Sequence, residues 1–525
     1  MRNKKLIAIL APVCVLLVSL ALRGVRLESI PPGMHGDEAE WGLIERELVF
    51  GKRKELIGIG RQGIYFDFPL LGFYIQGLFH KILGSTIVGV RSSSVFAGVL
   101  TILIFYLWMQ ELFDTKTAFI SSLLFAFSHW HIAYSRMGLS NIWSPLFEVL
   151  VFFLLTKARK TNKLWNITVA GFFAGFALYF HHTARIVPLI GLAMLGLEAA
   201  FHTHNRRFYL KRFFCFLGVV LLVFSPQLLY YLRYPADICA RCGEVSIFSH
   251  LPEYFVRYQT HNLLVVLWEQ LRRTCRVFFL GGDIGYHFYG YQGPLLSRLS
   301  ALLFACGFLF AVVKALRGDG GAQLVASSFL LIIVLGGVFT IDAPSSQRII
   351  GVLPLIFAAT AYSSHWLLER IKQLRPGGRW AAPLFLTFFF GLLFLDFLQN
   401  YQIYFVHYIH SQDGWAQKEP ATTIAKYLAQ KDSERTYVYM LREGSWLYFN
   451  HGVIKFLAPE IQGRDVEDSA AVIPAVVGHR QVIYIMPFES PSLSKLKSVY
   501  PGGHSENFFN PRGNTPWFTV YEVGS

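Results

Sequence analysis

The chain has 525 residues, of which 54% are hydrophobic, 16% aromatic and only 15% charged, and its mean hydropathy is +0.42. A water-soluble chain of this length carries about a quarter charged residues, so the composition excludes an ordinary soluble globular protein. The formal net charge of +15 does not point to nucleic acid either, because the basic residues stand in short clusters between apolar runs, as in the cytoplasmic loops of membrane proteins.

The chain opens on Met-Arg-Asn-Lys-Lys and an apolar run to Leu22. Ser19-Leu20-Ala21 is a weak cleavage-like triplet, but the many spans that follow favour an uncleaved signal anchor. About eleven spans are expected on the criterion of ~20 predominantly apolar residues, near 5–22, 91–111, 116–133, 141–156, 165–181, 185–201, 212–232, 296–315, 321–340, 348–368 and 380–400. Residues 68–83 are short and carry Gln76, His80 and Lys81. Charge parity decides their state. If they lie at the interface, the clusters Lys157/Arg159/Lys160/Lys163, Arg206/Arg207/Lys211/Arg212, Lys314/Arg317 and Arg370/Lys372/Arg375/Arg379 share the cytoplasm with Arg2, Lys4 and Lys5. If they span, all four clusters move outside and the positive-inside rule fails throughout. The interfacial reading follows.

That reading puts the N-terminus in the cytoplasm and makes 23–90 and 233–295 external loops. Residues 37–50 set Trp41, Leu43, Ile44, Leu48 and Val49 opposite acidic residues, the pattern of a second amphipathic juxtamembrane helix. A helical piece is expected near 251–273. From 401 the composition turns polar, with candidate strands at 436–441, 481–486 and 516–523 and helical patterns near 420–430 and 490–499, which reads as a small α/β domain. The expected architecture is an all-α polytopic membrane protein with juxtamembrane amphipathic helices over 1–400 and a small C-terminal extracytoplasmic α/β domain over 401–525. Cys14, Cys215 and Cys306 fall in apolar spans as small hydrophobes. Cys239, Cys242 and Cys275 fall in an external loop, where a disulfide can form but spacing does not fix the pairing. Gly171-x-x-x-Gly175 is a helix-packing motif.

The strongest local signal is PPGMHGDEAEWG, 31–42, a tight turn holding His35 and followed at once by the acidic pair Asp37-Glu38. An aspartate N-cap explains Asp37 structurally; a general base or metal ligand at a membrane cavity explains it functionally. The external span ends YSRMGLSN (134–141), YFHHTAR (179–185) and APSSQR (343–348) offer Arg136, Arg185 and Arg348. Single arginines at span ends commonly snorkel to headgroups; three beside an acidic pair suit an anionic ligand such as a lipid phosphate. Tyr134, Asn141, His181 and His182 lie in the same segments and join His35 as candidate substrate contacts. His129, His131, His181 and His182 with Asp37 and Glu38 can also hold a divalent cation, although the mixture is not diagnostic. Asp67 and Asp342 are secondary candidates, and Asp396 is expected near an external end or paired.

The acidic pair just after the first span, the two juxtamembrane helices and the basic hairpins resemble the glycosyltransferase C superfamily. Within it, the bacterial relatives of protein O-mannosyltransferases and of the lipid A aminoarabinose transferase are the nearest in pattern. HGDEAEWG, the helix 68–83 with VGVRSSSVFAGVL, HIAYSRMGLSNIWSP, HHTARIVP and QRIIGVLP carry the resemblance, in the family's order over 1–400. The resemblance implies a polyprenyl-phosphate-sugar donor, transfer on the external face of the plasma membrane, inversion at the anomeric centre, and Asp37 in the place of the catalytic aspartate with Glu38 as its neighbour. Where the family often has Asp-Pro near the start of the fourth span, this chain has Asn141 and Ser144-Pro145, which weakens the expectation of a metal site.

The chemistry agrees with such a layout. An acceptor hydroxyl, whether on a lipid, a glycan or a protein, needs a carboxylate to take its proton. Phosphate leaves readily, but its growing charge needs arginines or a cation. In this reading Asp37 is the base, Glu38 supports it, and Arg136, Arg185 and Arg348 hold the lipid phosphate. A flippase or transporter is the competing class, since charged residues near the membrane also serve those proteins. Transporters, however, tend to place such groups at the midplane of repeated halves, and no repeat is present here. A ligase using a diphosphate-linked oligosaccharide would call for a larger external loop or more cationic groups.

Overall fold

The computed structural model describes the chain apart from residues 1, 52, 61–67, 202–204, 239, 284–287, 374–380, 412–417, 468–480 and 525. Helices occupy every apolar run. In chain order they are α1 (Arg2–Gly24), α2 (Gly36–Phe50), α3 (Leu70–Leu83), α4 (Ile87–Leu112), α5 (Thr115–Phe127), α6 (His129–Ser135), α7 (Trp143–Thr161), α8 (Leu164–Ala177), α9 (Ile186–Phe201) and α10 (Arg206–Arg233). The short helices α11 (Ala240–Val245), α12 (Leu251–Arg257) and α13 (Leu263–Arg276) follow, then α14 (Arg298–Leu316), α15 (Gly320–Ile332), α16 (Val352–Gln373) and α17 (Ala381–Tyr401).

Six of the described helical segments are long and apolar enough to cross a membrane by length and composition. This is a multi-pass membrane protein, and helices suit it because each satisfies its own backbone in lipid. Polar side chains start the helices: Thr86 accepts from Gly89 N at 3.1 Å and Asp114 from Lys116 N and Thr117 N at 2.9 Å. A Cβ on Gly171 or Gly175 would come within 2.9 Å of the Phe216 or Val220 carbonyl, so the small residues let α8 lie close against α10.

The 14 residues of α3 rise about 21 Å, short of the ~30 Å hydrocarbon core. α3 packs along α2. The sequence pattern expects the acidic residues of 37–50 on a solvent face; the structure buries Glu38 and Glu45 instead. Each meets a basic partner: Glu38 faces Arg91 at 2.9 Å and Glu45 faces His80 at 3.0 Å. Buried carboxylates need such partners, and here they tie α2 to α4 and α3.

Basic clusters from several hairpins converge at one end of the bundle. Glu198 on α9 pairs with Arg159 of α7 and, at 3.4 Å, with Arg212 of α10. Lys160 reaches Glu111 at 3.4 Å. Asp396 lies within α17, buried and hydrogen-bonded by the Ser297 hydroxyl, the Ser300 hydroxyl at 3.2 Å and Asn400 at 3.1 Å.

Two short strands, β1 (Ile59–Gly60) and β2 (Phe68–Pro69), pair antiparallel before α3. The C-terminal sheet contains β3 (Thr436–Leu441), β4 (Gln462–Val466), β5 (Gln481–Pro487), β6 (His504–Phe509) and β7 (Pro516–Val523) in the order β4-β3-β5-β7-β6. β3 runs parallel to β4 and β5, whereas β7 runs antiparallel to β5 and β6. One face of this sheet does not form a self-contained core. Its cluster runs from Val438, Ile483 and Val520 through the helix Glu419–Leu428 to Met34 just before α2, to Ala39 and Leu43 on α2 and to Ile87 and Val90 on α4. The C-terminal region is thus packed onto the segment that carries the acidic pair.

Cys275 is a free, exposed thiol. Cys239 lies outside the described residues.

Candidate active site

A cavity of about 360 Å³ opens beside the N-terminal turn of α2. Asp37, Trp41, Phe68, Glu148, His181, His182, Arg185 and Arg348 are among its lining residues. Of the residues singled out in the sequence, Asp37, His181, His182, Arg185 and Arg348 therefore converge although they lie far apart along the chain. The remaining candidates have other positions.

The aspartate-cap explanation of Asp37 is corrected. The N-cap of α2 is His35: its Nδ1 accepts from Asp37 N at 2.9 Å, and Glu38 Oε2 accepts from His35 N at 2.9 Å. This reciprocal capping box leaves Asp37 in the first helical turn, where the helix dipole favours a carboxylate. Asp37 keeps a third of its side chain accessible, against 1% for Glu38. The His35 ring also stacks on Phe288 at 5.1 Å, so His35 serves the backbone of the turn.

Glu38 is not a second cavity carboxylate. It receives Arg91 Nε at 2.9 Å and the Gly138 backbone N–H at 2.7 Å. Arg91 in turn donates to the carbonyls of Leu27, Pro31 and Gly33. Arg136 is likewise turned to structure: it donates to the carbonyls of Leu22, Val25 and Ile30 and is buried. The physical reason is shared. The segment between α1 and α2 is irregular, its carbonyls have no helical partners, and at a membrane boundary they need donors. Two buried arginines supply them. Arg136 is therefore removed from the phosphate-binding set.

Arg185 and Arg348 do line the cavity. Arg185 donates to the Ile238 carbonyl at 3.4 Å and Arg348 to that of Ile341. His181 is fixed by Thr183 Oγ1 at 2.9 Å and by Asn141 at 3.2 Å, and Thr183 meets Ser144 at 2.5 Å. Asn141 thus orients His181 from behind. Tyr134 pairs with the Ser346 hydroxyl at 3.0 Å and is buried. His182 lies over Phe68, with ring centroids 4.5 Å apart.

Two of the other histidines are engaged elsewhere: His129 with Tyr289 at 2.6 Å and His131 with Arg23 at 2.7 Å. Among the described residues, the one group of three whose ligand atoms converge as for a metal is Asp114, His365 and Glu369. His365 lies fourteen residues along α16 from Gly351 in the cavity wall, about 21 Å away. Asp342 has φ +55° and its N–H bonds the Tyr254 hydroxyl at 2.9 Å. Asp67 lies outside the described residues.

Three features escaped the sequence. A π-helical turn, Ile333–Val338, follows α15 and brings Leu335 and Gly336 to the cavity wall; such turns concentrate at functional sites. Lys418, ahead of the helix Glu419–Leu428, is buried near Asp37 and Glu38 and donates to the Phe288 carbonyl at 2.9 Å. Burial lowers its pKa to about 7, partly opposed by those two carboxylates. Glu148 stands in the cavity wall on α7. It is the lone acid in WSPLFEVLVFFLL, and an ionisable residue inside a membrane helix is itself a signal.

The family described as dolichyl-phosphate-mannose-protein mannosyltransferase matches residues 67–230. Undecaprenyl phosphate-alpha-4-amino-4-deoxy-L-arabinose arabinosyl transferase of Pseudomonas paraeruginosa is 25% identical over 160 residues, covering 28% of each chain. Its counterpart in Pseudomonas aeruginosa is 26% identical over 213 residues, covering 39% of this chain and 33% of that one. These matches span about a third or less of the curated relatives' length. ArnT from Cupriavidus metallidurans bound to undecaprenyl phosphate superposes with a TM-score of 0.55 at 14% identity, covering 99% of this chain and 98% of that one. The apo oligosaccharyltransferase of Archaeoglobus fulgidus gives 0.53 at 13% identity, covering 87% and 64%. Residues 67–230 are thus similar to a family of polyprenyl-phosphate-sugar-dependent glycosyltransferases, and the chain as a whole shares the fold of ArnT and of the archaeal oligosaccharyltransferase.

Proposed function

We propose that this protein moves a sugar from a polyprenyl-phosphate donor to an acceptor hydroxyl on the extracytoplasmic face of the plasma membrane, inverting the anomeric carbon. The observation that carries this reading is the sharing of one cavity by Asp37, Arg185 and Arg348. The names of the curated relatives supply the donor class.

The acceptor oxygen attacks the anomeric carbon from the face opposite the phosphate. Its proton passes to the Asp37 carboxylate as the new C–O bond forms. The bond from the anomeric carbon to the phosphate oxygen breaks, and its electron pair leaves on the polyprenyl phosphate. Arg185 and Arg348 meet that growing charge. A single displacement of this kind inverts the centre. A lipid, a glycan or a protein serves equally as acceptor in this scheme, since only its hydroxyl takes part. A divalent cation is not needed for the proton or charge balance.

The topology belongs to the same proposal. Eleven spans, with 68–83 at the interface, put the basic end of the bundle in the cytoplasm and the cavity outside. The 401–525 region then lies outside as well, where it braces the loop before α2.

The test is transfer of radiolabelled sugar from undecaprenyl-phosphate donors by membranes holding wild type or Asp37→Asn. Transfer by wild type and its loss in Asp37→Asn is the expected result. Equal transfer by both removes Asp37 as base. A wild type that consumes no such donor but translocates lipid favours the flippase class.

A further inference from the structure

Glu148 has no role in the scheme above, yet its position is unusual. It is fully buried in α7. Neither carboxyl oxygen has a hydrogen-bond partner among the described residues. It lines the same cavity as Asp37, Arg185 and Arg348. A buried carboxyl without a donor is costly, and native structures rarely retain one without a reason.

Its surroundings show where it faces. Ser144, one turn earlier on the same face of α7, meets Thr183, which fixes His181. Glu148 therefore sits one turn deeper than this network. Opposite stands Gly351 in the cavity wall, where any Cβ would overlap the Glu148 carboxyl. The absent side chain leaves the space that the carboxyl occupies. A carboxyl group repels a phosphate and attracts hydrogen-bond donors. The cationic groups Arg185 and Arg348 suit the phosphate, which leaves Glu148 for the other polar part of the donor.

We propose that Glu148 is a specificity-determining residue that binds the transferred sugar of the donor, accepting hydrogen bonds from its hydroxyl or amino groups. The inference rests on the polyprenyl-phosphate-sugar reading of this cavity. Gly351 acts as a positioning residue that keeps the carboxyl in place. Its replacement by alanine displaces only the flexible end of Glu148, so Gly351→Ala moves the carboxyl without removing it.

The experiment is competition binding to the full chain in lipid nanodiscs, with radiolabelled undecaprenyl phosphate as tracer. The competitors are undecaprenyl phosphate itself, undecaprenyl phosphate-mannose and undecaprenyl phosphate-4-amino-4-deoxyarabinose. Wild type is expected to prefer at least one sugar-bearing lipid over the bare lipid by roughly 10- to 100-fold, the worth of a hydrogen bond to a carboxylate. Glu148→Leu and Gly351→Ala are expected to lose most of that preference and to keep their affinity for undecaprenyl phosphate. Glu148→Gln separates the two sugar chemistries: it keeps an acceptor oxygen but no charge, so it retains more of the preference for a hydroxyl partner than for an ammonium. Thermal unfolding of Glu148→Leu in the absence of lipid is expected at or above the wild-type temperature, whereas a merely structural carboxyl would lower it. The inference is overturned if Glu148→Leu keeps the wild-type preference, if it loses affinity for all three lipids alike, or if wild type shows no preference. If wild type binds none of the three lipids, the donor reading itself fails and takes this inference with it.

Discussion

Glu38 and Arg91 form an ion pair 2.9 Å long in which both side chains are at most 1% exposed, one residue away from the carboxylate that faces the cavity. Breaking such a pair from one side strands a buried charge and costs about 3–5 kcal/mol. Glu38→Gln and Arg91→Met are therefore expected to lose stability of that order. Arg91→Met is expected to be the worse, because it also strips the donors from Leu27, Pro31 and Gly33. Unfolding of the purified variants checks this, and a Glu38→Gln protein as stable as wild type would contradict it.

Asp37 should behave in the opposite way. The cap and its return bond belong to His35 and Glu38, so Asp37→Asn is expected to unfold within a few degrees of wild type. If Asp37 is the base, its rate of transfer falls about 10²- to 10⁴-fold, the usual worth of general-base catalysis, with donor affinity kept. His35→Ala is expected to cost about 1 kcal/mol of stability, as for the loss of an N-cap. Paired unfolding and single-turnover measurements separate the two residues. A large stability loss in Asp37→Asn would count against a purely chemical role.

Gly33 joins the loop to the C-terminal region. Its φ is +69°, and a Cβ there would lie 2.9 Å from the backbone of Lys418 and Glu419. Both the conformation and the close approach demand glycine. The neighbouring Met34 N–H donates to Thr422 at 2.8 Å, so the docking is specific. Gly33→Ala is expected to loosen the helix Glu419–Leu428 from α2 by more than about 1 kcal/mol. Faster protease cleavage between α17 and β3 in the variant, with the bundle intact, is the measurement. Equal cleavage of both proteins would show that the contact tolerates the methyl group.

These residues show what was legible in the sequence. The apolar helices were, because long apolar runs are a one-dimensional signal, and six described segments are long and apolar enough to cross a membrane. The helix over 68–83 was legible as an apolar run, and the structure forms it as the 14-residue α3; its interfacial state rests on charge parity alone. Asp37, Arg185 and Arg348 were found as charged residues at span ends. Their sequence neighbours gave no way to separate Arg136, which has the same residue type and the same position at a span end. Only the fold reveals that its donors are spent on carbonyls of the last turn of α1 and the loop after it. Arg91 and Glu148 were detectable in principle as charges within apolar helices. Lys418 was not, since nothing in QKEPATT records that this segment lands beside α2.

Lys418 also gives the protein a pH dependence whose sign can be worked out. Burial lowers its pKa from 10.5 to about 7 in the folded state, with Glu38 and Asp37 acting in the opposite direction. Between these two values the unfolded chain holds a proton on Lys418 that the folded chain has released. Stability then rises with pH across that window, by at most about 1.4 kcal/mol per pH unit. Below pH 7 both states are protonated and the full cost of the buried ammonium remains. Lys418→Met removes the titration. Relative to wild type, the variant is expected to be more stable near pH 6, with the difference shrinking as pH rises from 7 toward 9.5. Chemical unfolding of both proteins at closely spaced pH values reads the difference directly, and cancels the titration of groups common to both. A difference that stays constant across the window would mean that Lys418 keeps its proton in the fold, held there by the two carboxylates of the acidic pair.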